Sequence, residues 1–140
     1  MPMPPLLLLS SEAEYRAYFR ANCCGKIETH DGIQVTVRHK DFDHCCYGSS
    51  QKNDVKDHFS ADRAQRIDWI AAALQDASLP MYVGWNRKVR KEDPSRRVTV
   101  VVPDFAVVIA ITRPGHAVFT TAYVANEATI RRMQSHAAWT

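Results

Sequence analysis

The distribution of apolar residues predicts an α+β domain: N-terminal helices and a hairpin, then an antiparallel sheet of about four strands with helices packed on one face. Three observations carry this. Ala64, Ile67, Ile70, Ala71 and Leu74 form a stripe at helical spacing. The second half holds short apolar runs, "MYVGW", "RRVTVVV", "FAVVIAIT" and "AVFTTAYVA", separated by turn residues. The order is helix, hairpin, helices, strands, helix, with no internal repeat.

The elements follow in order. Residues 1–10 are a proline/leucine lead that need not be ordered. Ser11 with Glu14 three residues on is a helix-start signal, and a helix is predicted from about Glu12 to Cys23, ended by Gly25. "KIETHDGIQVTVRH" reads as a β-hairpin with Asp31-Gly32 as a two-residue turn, and Ile33, Val35 and Val37 share one face. "DFDHCCYG" reads as a short helical turn capped by Asp41 and stopped by Gly48, and residues 49–58 as a polar loop. One helix is predicted from the Ser60 cap to Pro80, with Asp62 complementing its dipole. The strands follow, broken at Pro103-Asp104 and turned at "RPGH"; "FAVVIAIT" is apolar enough to be covered on both faces. A last helix starts at Asn126, with Ile130 and Met133 inward, and 137–140 form a tail. Residues 11–136 make one domain, the expected organisation for 140 residues.

Composition narrows the function. The hydrophobic fraction of 46% and charged fraction of 24% are those of a globular domain, and a net charge of +3 does not by itself mark a nucleic-acid binder. "PLLLLSS" is too short an apolar run for a signal peptide, and no membrane-spanning run follows, so a soluble, cytoplasmic protein with no membrane partner is expected. Cysteines in that reducing compartment are not expected to form disulfides.

Chemistry concentrates in "VRHKDFDHCCYGSS". His39, His44, Cys45, Cys46, Cys23 and Cys24 are metal-ligand types. Adjacent cysteines on a helix diverge by ~100°, which argues against chelation by either pair, so the cysteines are expected as small core fillers, with no metal and no cofactor; the zinc alternative is one cysteine from each pair with the two histidines. His44 and Cys45 do not face each other on a helix, which disfavours a cysteine nucleophile. Histidine acid–base catalysis remains, because the imidazole titrates near neutrality. Arg63 stands in a first helical turn, where positive charge opposes the dipole, so an acidic partner or an anionic ligand is needed to explain it; Arg66 is three residues on. Thr120 and Thr121 alternate faces, and Tyr123 shares the side of Thr121. Arg87, Lys88, Arg90, Lys91, Arg96 and Arg97 make a basic stretch suited to phosphates. Trp69 and Trp85 are expected to pack rather than to stack on bases.

"FDHCCYG", then "FSADRAQRIDWIAAAL", "MYVGW" and the "VVIAI…VFTTAYVA" hairpin resemble small phage- and mobile-element-borne domains of the barnase–EndoU–colicin–RelE-like superfamily of metal-independent ribonucleases. The likeness runs from about Ile33 to Val124. It rests on Phe42-x-His44, Arg63-Ala64-x-x-Ile67 and Thr121-Ala122-Tyr123. The resemblance implies helices followed by a four-stranded antiparallel sheet with the active site on an open sheet face. It implies a toxin-like endoribonuclease acting on RNA, such as tRNA, by 2′-OH transesterification, with a cognate inhibitor protein as a possible partner. His44 would be the acid or base and His39 a second one. Arg63 would hold phosphate, Thr121 or Tyr123 would hydrogen-bond the scissile phosphate, and Arg66 with the Arg87–Arg97 cations would guide the RNA. The double cysteine and the competing Thr120 hydroxyl depart from the family pattern. The alternative is a non-catalytic phage or mobile-element accessory protein that keeps the fold.

Overall fold

Ser11 starts the first helix. Its hydroxyl accepts the Glu14 amide at 3.2 Å, and the Glu14 carboxylate accepts the Ser10 amide at 2.8 Å, a reciprocal cap. The computed structural model describes residues 3–48, 58–101 and 104–139. Helix α1 (Glu12–Asn22) buries Tyr15 and Phe19. Gly25, at φ 111, turns the chain into β1 (Gly25–Glu28), which pairs antiparallel with β2 (Gln34–Val37). The connection is wider than the predicted two-residue turn. The Thr29 amide bonds the Ile33 carbonyl and the Ile33 amide bonds Thr29 Oγ1, both at 2.9 Å. The Thr29 hydroxyl reaches Asp31 at 2.5 Å, so residues 29–33 close as one hydrogen-bonded loop around a buried threonine.

Helix α2 (Asp41–Cys46) follows, then a two-stranded ribbon of β3 (Tyr47–Gly48) and β4 (His58–Phe59). The predicted polar loop falls almost wholly on 49–57, outside the described residues, as does the proline of the predicted Pro103-Asp104 break. Asp41 is not the cap. It is the first helical residue, buried, and its carboxylate reaches back to the Arg38 amide at 2.8 Å and the Arg38 guanidinium at 3.2 Å.

The single helix predicted after Ser60 is two: α3 (Ala61–Ala64) and α4 (Ile67–Gln75). Arg66 leaves the helical region (φ −107, ψ 19). The Trp69 amide bonds the Arg66 carbonyl, three residues back rather than four, while the Gln65 carbonyl accepts the Leu7 amide at 2.8 Å. The lead therefore inserts at the break. Trp69 Nε1 donates to the Pro4 carbonyl and the Tyr15 hydroxyl to the Leu7 carbonyl, at 2.7 and 2.9 Å.

The main sheet has six strands, not about four. It comprises β1, β2, β5 (Met81–Asn86), β6 (Lys91–Val101), β7 (Phe105–Arg113) and β8 (His116–Val124), in the order β1-β2-β8-β7-β6-β5. The strands β5 to β8 form an antiparallel meander. The hairpin β1–β2 adds two more strands because β2 pairs parallel with the start of β8, Gln34–Thr36 against His116–Val118.

Helices cover both faces rather than one. Phe105, Val107, Ile109 and Phe119 pack with Phe19, Phe42, Ile67, Ile70 and Leu74. Val98, Val100, Ala106 and Val108 point the other way and pack with Ile130 and Met133 of α5 (Glu127–Gln134). The alternation of β7 is apolar on both sides, so one helical layer leaves half of it wet; α5 closes the second side. Asn126 caps α5 as predicted, accepting the Thr129 amide at 2.8 Å. The tail lies along β5: the Val83 amide bonds the Ala137 carbonyl and the Trp139 amide the Met81 carbonyl. Among the described residues no helix is long and apolar enough to cross a membrane.

The register of β5 and β6 slips between Val83 and Gly84. A Cβ on Gly84 would stand 2.7 Å from the Arg96 Cβ, an atom held by backbone. Gly84→Ala is expected to destabilise the fold by about 1–3 kcal/mol. Urea unfolding reads this directly, and an unchanged midpoint would refute the close approach.

Candidate active site

Strand β8 carries one residue too many for its partner. Val108 faces Thr121 and Ile109 faces Phe119, which leaves Thr120 as a bulge. Strict alternation predicts Phe119, Thr121 and Tyr123 on one face. The extra residue instead sends Thr121 and Tyr123 to the α5 side, opposite Val108 and Ala106, while Phe119 stays in the main core.

The pairing of β8 with β2 ends at Val118, and α2 packs beside the rest of the strand. Thr121 Oγ1 donates to the His44 carbonyl at 2.9 Å. Its proton is thereby committed, so Thr121 ties β8 to α2 and is not free to donate to a phosphate, as the resemblance had suggested. The His44 side chain is exposed, on a backbone this bond fixes. Three residues on, the Tyr47 carbonyl accepts Arg63 Nη1 at 2.9 Å. The Arg63 guanidinium lies 5.8 Å over the Tyr123 ring. The Arg63 and Tyr123 side chains thus meet at one corner, formed by the end of α2, by α3 and by the second half of β8, and Thr121 joins it to α2 through the His44 backbone carbonyl. His39 does not join them. It is exposed ahead of α2, and the six-residue helix separates it from the corner by ~9 Å along the axis.

The corner carries a positive charge. Arg63 is half-buried, and among the described residues no carboxylate pairs with it. Burial pulls its guanidinium below the usual value. Burial pushes the Tyr123 phenol up, with Arg132 and Arg63 pulling the other way. The phenol is therefore protonated near neutral pH and able to donate, and it makes no hydrogen bond among the described residues. Tyr47, Gly48 and Arg132 belong to this corner and were missed from sequence. A backbone carbonyl leaves no side-chain signal, Gly48 had been read as a helix stop, and a cation in the last turn of α5 is explained by the dipole alone.

The basic residues separate. Arg97 is fully buried and bonds Asp31 at 2.7 Å, so it is no surface contact for RNA. Arg66 is turned into the fold: it donates to the Asp62 carbonyl at 2.6 Å, approaches Asp104 at 3.8 Å and stacks 5.0 Å over Trp69. Arg96 pairs with Asp93 at 3.7 Å. Arg87, Lys88, Arg90 and Lys91 are exposed where β5 turns into β6. Tyr123 is level with Ala106 and Val100. The turn is at the other end of the sheet, roughly 25 Å away along the strands. Trp69 packs edge-on against Phe105, as expected of a core aromatic, whereas Trp85 is exposed and stacks on His136.

Cys45 and Cys46 do not diverge. Their sulfurs are 3.4 Å apart because the helix ends there and Tyr47 is already extended. Both are buried with Cys23 in the main core. All four cysteines are free, and among the described residues no three His, Cys, Asp or Glu side chains gather to hold a metal.

Comparison with protein-family models, curated proteins and solved structures found no match.

Burial pushes the Cys23 thiol up to about 12, and the bond to Cys46 together with burial raises Cys45. Thiolate is the reactive form. Ellman's reagent at pH 8 is expected to modify half-buried Cys24 first and to reach Cys23, Cys45 and Cys46 only on unfolding. Rapid reaction of all four in the native protein would contradict this burial.

Proposed function

We propose that the chain is a metal-independent endoribonuclease whose scissile phosphate is received at the Arg63–Tyr123 corner. One observation carries the reading: a half-buried arginine without a carboxylate partner among the described residues, beside a protonated phenol whose donor is unused. A desolvated guanidinium is a strong phosphate ligand, and its charge would stabilise the phosphorane-like transition state. His44, one hydrogen-bonded step away along α2, would take the 2′-OH proton as that oxygen attacks phosphorus. The departing 5′ oxygen would then be protonated by the imidazolium or by water. The reaction requires the 2′-OH, so DNA is not a substrate. RNA is the proposed partner, and the exposed cations Arg87, Lys88, Arg90 and Lys91 would contact its backbone at a distance from the cleaved bond.

Two observations favour a second reading, a binding protein that engages phosphate without turnover. Thr121 gives its proton to a carbonyl, and His39 lies ahead of α2, so neither supplies a second acid–base side chain at the corner.

Incubation with total RNA or tRNA in excess EDTA separates the two. The ribonuclease reading expects fragments ending in 2′,3′-cyclic phosphate, with His44→Ala slower by about 10²–10⁴. Arg63→Met should slow cleavage by about 10²–10³, while Tyr123→Phe should weaken binding more than it slows the step. If wild type cuts no RNA, or His44→Ala cuts equally well, the catalytic assignment fails. RNA binding that requires Arg63 but never yields product identifies the binding protein.

A further inference from the structure

Among the described residues Trp85 is the one exposed aromatic side chain, at 44%. It stands near the end of β5, beside the turn into β6. An indole left in water gives up the burial that usually holds such a ring. Here it lies flat on His136, with centroids 5.5 Å and planes 20° apart. One ring face is therefore covered by an imidazole, and among the described residues no second ring and no cation is stacked on the indole. The platform beneath it is fixed. The His136 amide bonds the Met133 carbonyl at 3.1 Å, and the Ala137 amide bonds Glu92 Oε1 at 2.6 Å.

The charge beside this ring is positive. Lys88, Arg90 and Lys91 are exposed and make no ion pair among the described residues. The two acids that follow them are engaged elsewhere. Glu92 accepts the Ala137 amide, and Asp93 accepts from Asn86 and Ser95 and lies 3.7 Å from Arg96. Helix α5 links this end of the sheet to the corner, because Tyr123 packs on the same face as α5. The charge of Arg132 acts on the Tyr123 phenol, and His136 follows Arg132 by four residues, roughly one helical turn. Arg63, Tyr123, Arg132, His136 and Trp85 thus form a line that ends at the hairpin cations.

We propose that this line is the track of a single-stranded RNA, with a phosphate held at Arg63 and Tyr123, an unpaired base stacked on the uncovered face of Trp85, and the onward backbone among Lys88, Arg90 and Lys91. A base inside a duplex already has neighbours on both faces, so stacking on an indole selects an unpaired strand. Cations interleaved with an open ring are the pattern that binds such strands. Trp85 and Val89 are two apolar side chains separated by cations and make no continuous apolar face of the kind a membrane surface needs. An acidic protein would meet the cations but leave the flat indole stack unused. The distance of roughly 25 Å between Tyr123 and the turn corresponds to about seven nucleotides at a stacked spacing of ~3.4 Å. The proposal rests on RNA being the partner, and not on its being cut.

The probe is a fluorescein-labelled 2′-O-methyl oligoadenylate of about twelve nucleotides, which has no 2′-OH to attack phosphorus, so anisotropy reads binding without cleavage. Binding should saturate and shift the Trp85 indole signal in ¹H–¹⁵N spectra. Trp85→Ala should weaken it about fivefold or more, and Trp85→Phe should restore most of the loss. Lys88→Ala with Lys91→Ala should lower the slope of log affinity against log salt by about 1.4. A probe of about four nucleotides cannot span the track and should bind about tenfold more weakly, and the long probe annealed to its complement about fivefold more weakly. No saturable binding overturns the proposal, as does undiminished binding by folded Trp85→Ala. Equal affinity for the short probe or for the duplex overturns it as well. Trp85-dependent binding to phosphatidylserine vesicles without binding to the probe would assign the tip to a membrane and overturn it too. If total RNA stays intact while probe affinity still needs Trp85, the cleavage reading fails and the track stands. If RNA is cut while Trp85→Ala binds the probe like wild type, the track fails and the cleavage reading stands.

Discussion

One extra residue in β8 determines what the second half of that strand can do. Without the bulge at Thr120, Tyr123 would follow Phe119 into the main core, and no ring would be presented to Arg63. With it, β8 keeps Ala117 and Phe119 inside at one end and turns Thr121 and Tyr123 to the other face at the far end. The pairing with β2 is confined to the first half of the strand, so the same stretch that changes face also packs beside α2. The side-chain bond from Thr121 to the His44 carbonyl joins the two elements at that point. The corner is thus a consequence of sheet geometry rather than of a local motif.

Two arginines are withdrawn from water, and the fold treats them differently. Arg97 is entirely enclosed and keeps a carboxylate, which is the condition under which a buried charge is tolerated. Arg63 is only half enclosed and has a carbonyl and an aromatic face instead. A carbonyl and a π face lower the cost of desolvation without neutralising the charge, so a net positive centre persists at the corner. Arg97 is neutralised by Asp31 inside the fold, whereas Arg63, partly solvated, keeps its charge toward solvent.

Periodicity made much of this fold legible. The cap at Ser11, the cap at Asn126, the doubly covered strand β7 and the meander from β5 to β8 all follow from local pattern, because each is decided within a few residues. What escaped depends on partners distant in sequence. The parallel pairing of β2 with β8 joins residues some eighty positions apart, and nothing near Gln34 encodes it. The bulge is equally invisible, since "FTTAY" reads as clean alternation until the neighbouring strand fixes the register. The same holds for the site. Residue types at His44, Arg63 and Tyr123 suggested chemistry; the Arg63 and Tyr123 side chains do come together, and His44 is tied to β8 through its backbone carbonyl. The burial of Arg97 and the inward turn of Arg66 could not be read from a basic run, because a run of cations has the same appearance whether or not Asp31 or Asp104 folds over it.

The break between α3 and α4 shows how far from the corner its geometry is maintained. An uninterrupted helix from Ser60 would carry the Arg63 side chain in a fixed rotation relative to Ile67 and Ile70, which are anchored in the core. The break frees α3 from that phase. It persists because the Leu7 amide occupies the Gln65 carbonyl, the acceptor that Trp69 would use in a continuous helix, and because Trp69 in turn bonds Pro4. The lead, which carries no reactive group, therefore supports the orientation of the one arginine on which the phosphate reading depends. Coupling of this kind acts through hydrogen-bond accounting on the backbone: a carbonyl claimed by one segment is lost to another, and the helix yields at that residue.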